Sequence, residues 1–390
     1  MPRRTAIAAL VAALSGCGAF DSVPAGAVTE CQVETLVPGA VKTDILFVVD
    51  DSGSMAAEQA NLATSFDSFI RALAGSAVKD DFQIGVTTSS VDYPRCGDAS
   101  CSSFSIITNY TAGPASGTPF AAGALVGAAG HQVLPATSAT LIDDFKANVN
   151  VGTSGSPKEQ GLRAALLAVT DRIADGTNAG FLRPGARLAV IVVTDEDDCS
   201  DPATPPAVVY PVFGDSCHAD EEKAKLPPVA DYVNALKANL AGEARDVVLA
   251  VIAAVDPTTK EPVQPACNPQ GDKATRYSAF VSGFPGKGLI DDICQADFTA
   301  TLQQVAGLIA SQTLPLSQTP ADPALLTVSM ARASDGTTTS CNVVASDGDT
   351  ATADVVYSPP REGRQPELTF QRGCALAPGD EVHVQVLCAR

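Results

Sequence analysis

The chain has 390 residues, of which 45% are hydrophobic and 5% aromatic, and it contains no tryptophan. This length allows one large domain and a smaller one. An interior of Val, Ile, Leu and Ala suits a β-sheet covered by helices. The formal net charge is −19 at pH 7. Such a surface repels phosphate backbones and anionic lipid headgroups, which excludes nucleic acid as a partner and membrane binding through a basic patch.

The N-terminus has the pattern of a cleaved export signal. Two basic residues, Arg3 and Arg4, precede a short apolar run from Ala6 to Leu14. The run is far shorter than the ~20 residues that span a bilayer. The next residues, Ser15-Gly16-Cys17, complete a sequence that resembles the lipobox of bacterial lipoproteins.

This resemblance implies that residues 1–16 are a signal peptide and that Cys17 is lipidated, so that its acyl chains hold the protein on a membrane. Removal of the signal would leave a net charge of −21, because Arg3 and Arg4 are its only charged residues. By analogy with enteric sorting rules, Gly18 favours the outer membrane of the cell envelope. The alternative is an ordinary secretory signal in which the cysteine occurs by chance.

Residues 17–40 are small and polar, which predicts a tether. Between residues 41 and 315, apolar runs rich in β-branched residues alternate with helical stripes. This alternation predicts an α/β fold with a mostly parallel sheet and helices on both faces. The predicted strands are 44–50, 82–91, 187–195 and 246–255, the predicted helices include 62–73, 141–149, 162–173, 229–240 and 297–311, and the predicted loop insertions are 92–137, 199–226 and 256–296.

The C-terminal part has a different pattern. Residues 318–322 (QTPAD) indicate a linker, and residues 320–390 predict a small all-β module of about five strands. Asp-Gly and Pro-Gly pairs separate the β-like runs, as turn residues do. These runs are 324–331, 341–345, 353–357, 367–371 and 381–387.

One cluster of polar residues follows a predicted buried strand. Asp50-Asp51-Ser52-Gly53-Ser54 lies where the strand ends and a helix begins, at the carboxyl edge where open α/β sheets bind ligands. Carboxylate and hydroxyl oxygens are hard ligands that suit Mg²⁺, Mn²⁺ or Ca²⁺. Asp195 ends a second strand of the same kind, so a parallel sheet would bring it to the same edge.

The DxSxS pattern of Asp50, Ser52 and Ser54, with this strand context, resembles the metal-ion-dependent adhesion site of von Willebrand factor A (vWA) domains. The resemblance covers roughly residues 41–315. It implies that Ser52 and Ser54 bind the metal directly and that Asp50 acts mostly through water. A threonine on a later loop and a strand-end aspartate, matched by Asp195, would complete the site. It further implies an open coordination position for the carboxylate of a protein partner.

Two features depart from the family pattern. Thr153 follows a glycine as the family threonine often does, but its spacing to the next helix is longer, which leaves Ser154 and Ser156 as alternatives. The family usually has glycine after the strand-end aspartate, whereas this chain has Glu196-Asp197-Asp198. We expect this acidic run to be solvated rather than to form a second cation site.

The chain has eleven cysteines, and the ten besides Cys17 form an even set typical of disulfides in an oxidising compartment. Three pairs of near neighbours fall one in each predicted insertion. The other four cysteines allow three connectivities, of which we favour a bridge across a C-terminal hairpin and one from the tether to the β module. The predicted bridges are Cys96–Cys101, Cys199–Cys217, Cys267–Cys294, Cys374–Cys388 and Cys31–Cys341.

The sequence therefore predicts a non-enzymatic, lipid-anchored envelope protein whose vWA domain mediates divalent-metal-dependent adhesion. It has no nucleophile elbow, no Walker motif and no HExxH, and its three histidines are scattered. One alternative is a structural envelope protein with a vestigial metal site. A metal-dependent hydrolase acting at the same loop is a further alternative.

Overall fold

The computed structural model describes residues 28–36 and 42–389, apart from 77, 79–80, 212–216, 218, 312, 317, 349, 361–365 and 377–379. The predicted signal peptide and Cys17 lie outside this part of the chain. Within it, no helix is both long and apolar enough to cross a membrane.

The strands, in chain order, are β1 (Val28–Leu36), β2 (Thr43–Val49), β3 (Phe82–Thr88), β4 (Tyr93–Cys96), β5 (Phe104–Ile107), β6 (Val133–Pro135), β7 (Arg187–Val193), β8 (Asn239–Leu240), β9 (Glu243–Ala244), β10 (Val247–Ala253), β11 (Gly288–Asp292), β12 (Thr313–Pro315), β13 (Thr327–Ala331), β14 (Thr338–Cys341), β15 (Val343–Ala345), β16 (Val355–Ser358), β17 (Glu367–Phe370) and β18 (Glu381–Ala389). The helices are α1 (Ala56–Ala74), α2 (Leu141–Val149), α3 (Gly161–Val169), α4 (Asp171–Ala174), α5 (Asp220–Lys223), α6 (Val229–Lys237), α7 (Thr275–Ser282) and α8 (Thr299–Ala310).

The main sheet has six strands in the order β11-β10-β7-β2-β3-β6, all parallel except β6, which pairs antiparallel with β3. Every residue of β2, β3, β7 and β10 is buried, as expected for parallel strands that carry helices on both faces. The prediction of a mostly parallel sheet is confirmed, and these four strands lie close to their predicted bounds.

The two faces of the sheet contribute to separate cores. Ile45 and Phe47 of β2 pack with α1, α2 and α8 in one core. Leu46, which lies between them and faces the other side of the sheet, packs with α3, α6 and α7 in the second core. Strand side chains alternate between faces, so a single β2 sequence fills both cores. The predicted helix over 162–173 is divided at Thr170 into α3 and α4.

All three predicted insertions are only partly loops. The 92–137 segment contains β4, β5 and the edge strand β6, the 199–226 segment contains α5, and the 256–296 segment contains α7 and the edge strand β11. The sequence gives weak signals for these edge strands: β6 has three residues and ends in proline, and β11 is mostly half-buried and ends in Asp291 and Asp292.

The 92–137 and 199–226 segments pack against each other beyond the sheet edge. Strand β4 exchanges backbone hydrogen bonds with Tyr210, whose N–H donates to the Pro94 oxygen at 2.8 Å and whose oxygen accepts from the Cys96 N–H at 2.8 Å. Tyr93, Phe120, Val208, Tyr210 and Leu226 form a small apolar cluster there with the Cys199–Cys217 bridge. The predicted local disulfides Cys96–Cys101, Cys199–Cys217 and Cys267–Cys294 are all present.

Eight of the other strands form a β module of two four-stranded sheets, β1-β18-β13-β14 and β12-β17-β16-β15, whereas β4-β5 and β8-β9 are separate two-stranded sheets. Its core includes Val328 and Val384 from the first sheet and Tyr357 and Phe370 from the second. The predicted all-β character of the C-terminal part is therefore confirmed, but the module also takes β1 and β12 from outside the predicted 320–390 range.

Two predicted boundaries change as a result. Residues 28–36 of the predicted tether form β1, which pairs antiparallel with β18, and residues 313–315 of the predicted vWA domain form β12, which pairs with β17. Both pairings join segments that are far apart in sequence, so no local pattern reports them. Leu316, next to β12, is fully buried in the module core.

The disulfide of the β module also differs from expectation. Cys341 is bonded to Cys374, so the predicted Cys374–Cys388 and Cys31–Cys341 pairs are wrong. Antiparallel pairing of β13 with β14 places Cys341 opposite Val328 in the module core, where Cys374 is also buried. The side chains of Cys31 and Cys388 lie outside the described part of the chain.

Candidate metal centre

The candidate site lies where the strand order of the main sheet reverses. Strand β2 is the first of these six strands in the chain and β7 is the fourth, and the two are neighbours in the sheet. Asp50 follows β2, and its N–H donates to the oxygen of Val193, the last residue of β7, at 3.0 Å. The loops after β2 and β7 therefore meet at the topological switch point, where open α/β sheets bind ligands.

The loop from Asp50 to Ser54 is folded by its own hydrogen bonds. The Ser52 N–H donates to Asp50 Oδ1 at 2.8 Å. The Ser52 and Ser54 hydroxyl oxygens are 3.3 Å apart, so both hydroxyls share one face of the loop. Ser52 is buried and Ser54 is exposed, which leaves this face open toward solvent at Ser54.

The Asp50 carboxyl is almost completely buried. The Thr194 hydroxyl donates to its Oδ2 at 2.6 Å, and the Ser89 hydroxyl donates to its Oδ1 at 3.3 Å. Burial raises the pKa of Asp50 to about 8, and the negative charges of Glu196 and Asp195 act in the same direction. A cation placed among these carboxyls would offset this accumulation of negative charge.

The Asp195 carboxyl meets the serine loop at the same point. Burial raises its pKa, whereas the Ser54 hydroxyl and the Asn268 amide lower it. The Asn268 amide donates to Asp195 Oδ2 at 2.7 Å. Oδ1 is buried and has no hydrogen-bond partner among the described residues. A buried oxygen of this kind is costly unless a donor or a cation satisfies it, so the residues present fit a hard divalent cation.

The loop that carries Thr153 also lies beside Asp50. The side-chain amide of Gln59, in the first turn of α1, donates to the backbone oxygen of Asp50 at 2.9 Å and to the backbone oxygen of Gly152 at 2.8 Å. This shared donor holds the start of the loop at the sheet edge. Thr153 itself is exposed, which keeps its hydroxyl accessible from solvent.

The two alternatives to Thr153 are engaged elsewhere. The buried Ser156 hydroxyl accepts from the Lys158 N–H at 3.0 Å and donates to the Lys158 oxygen at 3.1 Å. The Ser154 hydroxyl lies against the 92–137 segment, where it fills the space that a side chain on Gly113 would need. Thr153 is thus the residue of the three that this loop leaves exposed.

Asp51, within the DxSxS loop, also holds the 152–156 loop in place. It is fully buried and accepts from the Ser90 hydroxyl and the Tyr110 hydroxyl, each at 2.7 Å. Burial raises its pKa, and these two hydroxyls lower it. Gly155 passes so close that a Cβ there would overlap the Asp51 carboxyl group. Only glycine allows this approach, which ties the 152–156 loop to the DxSxS loop.

Several of these residues were not singled out from the sequence. Ser89 and Ser90 directly follow β3, whose carboxyl end lies at the same edge, so the strand-end rule that identified Asp195 could have found them. Tyr110 and Asn268 lie in long segments without any periodic signal. Only the tertiary structure brings these two residues to the carboxyls of Asp51 and Asp195.

The acidic run after Asp195 is not solvated, contrary to expectation. Asp197 and Asp198 are both fully buried. Asp197 pairs with Lys223 at 3.0 Å, and Asp198 pairs with Arg276 at 3.1 Å. The chain thus supplies its own cations to these carboxylates. In the described residues, no group of three or more His, Cys, Asp or Glu side chains is arranged to hold a metal, so any site here depends on the serine hydroxyls as well.

No protein-family model and no curated protein matches the chain. Among solved structures, the chain is similar to the pilus adhesin SpaC from Lactobacillus rhamnosus GG in its open conformation, with 13% identity over 89% of this chain and 38% of that chain and a TM-score of 0.35. It is also similar to the pilus adhesin RrgA from Streptococcus pneumoniae, with 11% identity over 92% of this chain and 58% of that chain and a TM-score of 0.37. A third similar structure is proximal thread matrix protein 1 from the mussel byssus, with 15% identity over 72% of this chain and 51% of that chain and a TM-score of 0.32. The chain spans less than two thirds of each, and similarity at this level carries no argument about function.

Proposed function

We propose that this chain is a lipid-anchored protein of the bacterial cell envelope whose α/β part is a vWA domain. In this proposal Ser52, Ser54 and Asp195 hold a divalent cation, with Asp50 beside it and Thr153 on the facing loop. The cation, when bound, supplies an electrophilic position for a carboxylate of a protein partner. The protein residues position the cation and exclude water from its inner side.

The sheet supports the vWA assignment. Numbered along the chain, the main-sheet strands have the order 6-5-4-1-2-3, which is the doubly wound order with its switch point between strands 1 and 4. The DxSxS loop follows strand 1 and Asp195 follows strand 4. It agrees with the expectation from the sequence that the DxSxS loop and Asp195 follow parallel strands at the same edge of the sheet.

The observation that carries the cation proposal is the buried Asp195 Oδ1, which has no hydrogen-bond partner in the described residues. Its carboxyl interacts with the Ser54 hydroxyl and with the buried Asp50 carboxyl, and the Ser52 hydroxyl lies 3.3 Å from that of Ser54. Carboxyl and hydroxyl oxygens meet there, and in the described residues no Lys or Arg donates a hydrogen bond to the side chain of Asp50 or Asp195. The buried carboxylates nearby, Asp197 and Asp198, do have such partners. We therefore infer that a cation from solution takes that role at Asp50 and Asp195.

Calorimetric titration of the mature chain with MgCl₂, and with MnCl₂ and CaCl₂ in parallel, tests the proposal. We expect saturable binding, and a stabilisation of about 2.7 kcal/mol at a cation concentration roughly 100 times Kd. Ser52→Ala and Asp50→Asn should weaken binding by at least about 10-fold. Asp143→Ala removes an exposed carboxylate from α2 and serves as the control with unchanged affinity.

Equal thermal stability of the wild type in Mg²⁺ and in EDTA, with no heat of binding, would contradict the cation site. Partner binding needs a separate measurement. Envelope proteins captured on the immobilised wild type in Mg²⁺ should elute with chelator and should not be retained by the Ser52→Ala variant. Retention of envelope proteins that is unchanged by EDTA and by Ser52→Ala would favour a structural role for the chain.

The lipid anchor rests on the sequence of the leader alone. The substitution Cys17→Ser should move the protein from the membrane fraction to the soluble fraction of the envelope, because the acylated residue is lost. Surface proteolysis of intact cells then reports whether the anchored protein faces outward. A membrane fraction that Cys17→Ser leaves unchanged would rule out lipidation at this position.

A further inference from the structure

The segment of residues 264–272, called the 264–272 loop from this point, lies between β10 and α7 and contacts Asp195 at three points. Its Asn268 amide donates to Asp195 Oδ2 at 2.7 Å, and the Asp272 N–H donates to the backbone oxygen of Asp195 at 3.3 Å. Gly271 passes so close that a Cβ on it would overlap the same backbone oxygen. The loop thus holds both the side chain and the backbone of Asp195.

The position of this loop is fixed by a covalent bond and by internal hydrogen bonds. Cys267, next to Asn268, is bonded to Cys294, just after β11. The Cys294 N–H donates to Asp292 Oδ1 at 2.9 Å, which fixes the far end of the bridge at the end of that strand. Within the loop, the Gln264 amide donates to the oxygen of Gly271.

This arrangement gives the two oxygens of Asp195 different environments. Oδ2 is satisfied by an amide that cannot ionise, whereas Oδ1 is buried without a hydrogen-bond partner in the described part of the chain. A donor on one oxygen fixes the rotation of a carboxylate, so the other oxygen keeps one direction. Partners that orient a metal-binding carboxylate in this way contribute to affinity without touching the metal.

We infer that Asn268 is a positioning residue for the cation site, and that the Cys267–Cys294 bridge holds Asn268 in place. The inference rests on the proposed cation site and adds to it. It assigns a role to a disulfide-closed loop that shares no sequence motif with the DxSxS loop. Asn268 is half-buried, so its substitution is compatible with a folded chain.

The test measures Mg²⁺ affinity by calorimetry for the wild type, Asn268→Ala, Asn268→Ser and the double variant Cys267→Ser/Cys294→Ser, all as the full mature chain. We expect a loss of roughly 10–100-fold for Asn268→Ala and of about 10-fold for the double variant. Cys341→Ser/Cys374→Ser removes a bridge in the β module and is the matched disulfide control. Asn178→Ala removes a buried amide that bonds to the backbone of Gly123, Leu125 and Ala168, and is the matched asparagine control. Both controls should lower stability and leave affinity unchanged.

A second measurement does not depend on cation binding. In EDTA, hydrogen exchange at the Asp272 amide should be faster in Asn268→Ala than in the wild type, because the loop has lost its hold on the Asp195 side chain. Wild-type affinity in Asn268→Ala and Asn268→Ser would overturn the inference alone, and wild-type affinity in the double variant would overturn the role of the bridge. Absence of binding by the wild type would instead overturn the proposed cation site, and with it this inference.

Discussion

The α/β part and the β module of this protein are built from the chain in different ways. The α/β part is one continuous stretch from β2 to α8, and its central strands are buried along their whole length. The β module is assembled from both sides of that stretch, since β1 precedes it and β12 to β18 follow it. The α/β part is therefore inserted into the β module. Contiguity in sequence is what made the first region predictable and the second only partly so.

The C-terminal end of the inserted part is held near the point where it joins the module. The Arg187 guanidinium, at the start of β7, donates to the backbone oxygens of Ile309 and Ser311 at the end of α8. Lys287 pairs with Asp246 at 2.9 Å and lies 3.8 Å from Glu367 of β17. Of these contacts, the one between Lys287 and Glu367 links the α/β part to the β module.

The strongest test of this comparison is the deletion of residues 28–36. Strand β1 pairs along its length with β18, so the deletion exposes that edge of the module and removes one strand of a four-stranded sheet. We expect the module to lose most of its folding free energy, about 5 kcal/mol for a marginally stable domain, while the α/β part stays folded. Hydrogen exchange measured by mass spectrometry reports the two regions separately. Full protection of β13 and β18 in the deleted chain would show that β1 is dispensable.

A buried ion pair tests the α/β part alone. Lys158 and Asp201 are both fully buried, with Nζ and Oδ2 3.0 Å apart. Lys158→Met leaves the Asp201 carboxylate without its cation, and we expect a loss of about 3–5 kcal/mol in the free energy of unfolding. Lys146→Met, which removes an exposed lysine 3.5 Å from Asp67, should cost about 0–1 kcal/mol.

Urea unfolding followed by region-specific hydrogen exchange distinguishes the two regions in this experiment. The Lys158→Met loss should be confined to the α/β part, because Asp201 lies in the 199–226 segment packed on the sheet edge. If the β module loses protection at the same urea concentration, the two regions unfold as one unit. The α/β part and the β module would then differ in how they are assembled from the chain but not in their stability.

The smallest expected effect on the free energy of unfolding is that of Asp246, which pairs with Arg187 and Lys287. This effect depends on pH. Burial raises the pKa of Asp246, but the charges of Arg187 and Lys287 outweigh it and hold the pKa below its ordinary value. Because the folded-state pKa is lowered, this carboxylate stabilises the protein above the ordinary pKa, and the stabilisation is lost as pH falls through the folded value. Asp246→Asn should cost about 1–2 kcal/mol near neutral pH and progressively less below about pH 4. A difference from the wild type that is constant with pH would contradict this account, and Asp143→Asn is the exposed control.

The candidate site shows the same division between predictable and unpredictable features. Asp50, Ser52, Ser54 and Asp195 were found because each follows a buried parallel strand, and all such strand ends lie at one edge of the sheet. The partners that hold them came from segments without periodicity. Tyr110 on Asp51 and Asn268 on Asp195 are reached through contacts across 59 and 73 positions of sequence.

The acidic run from Glu196 to Asp198 shows why composition misleads at such positions. A run of acids is usually solvated, yet Asp197 and Asp198 are buried. Their cations, Lys223 and Arg276, come from α5 and α7. No property of the run itself announces that these partners exist, because burial of charge depends on which distant groups the fold brings near.

By itself, the sequence determined the α/β class, the four central strands, the serine-rich loop and the three local disulfides. Each of these depends on residues that are neighbours in the chain or on a rule about strand ends. The tertiary structure alone decided that β1 and β12 belong to the module, that Cys341 bonds to Cys374, and which loops hold Asp51 and Asp195. These features arise from pairings between distant segments, where the free energy comes from contacts that exist only after the chain has folded.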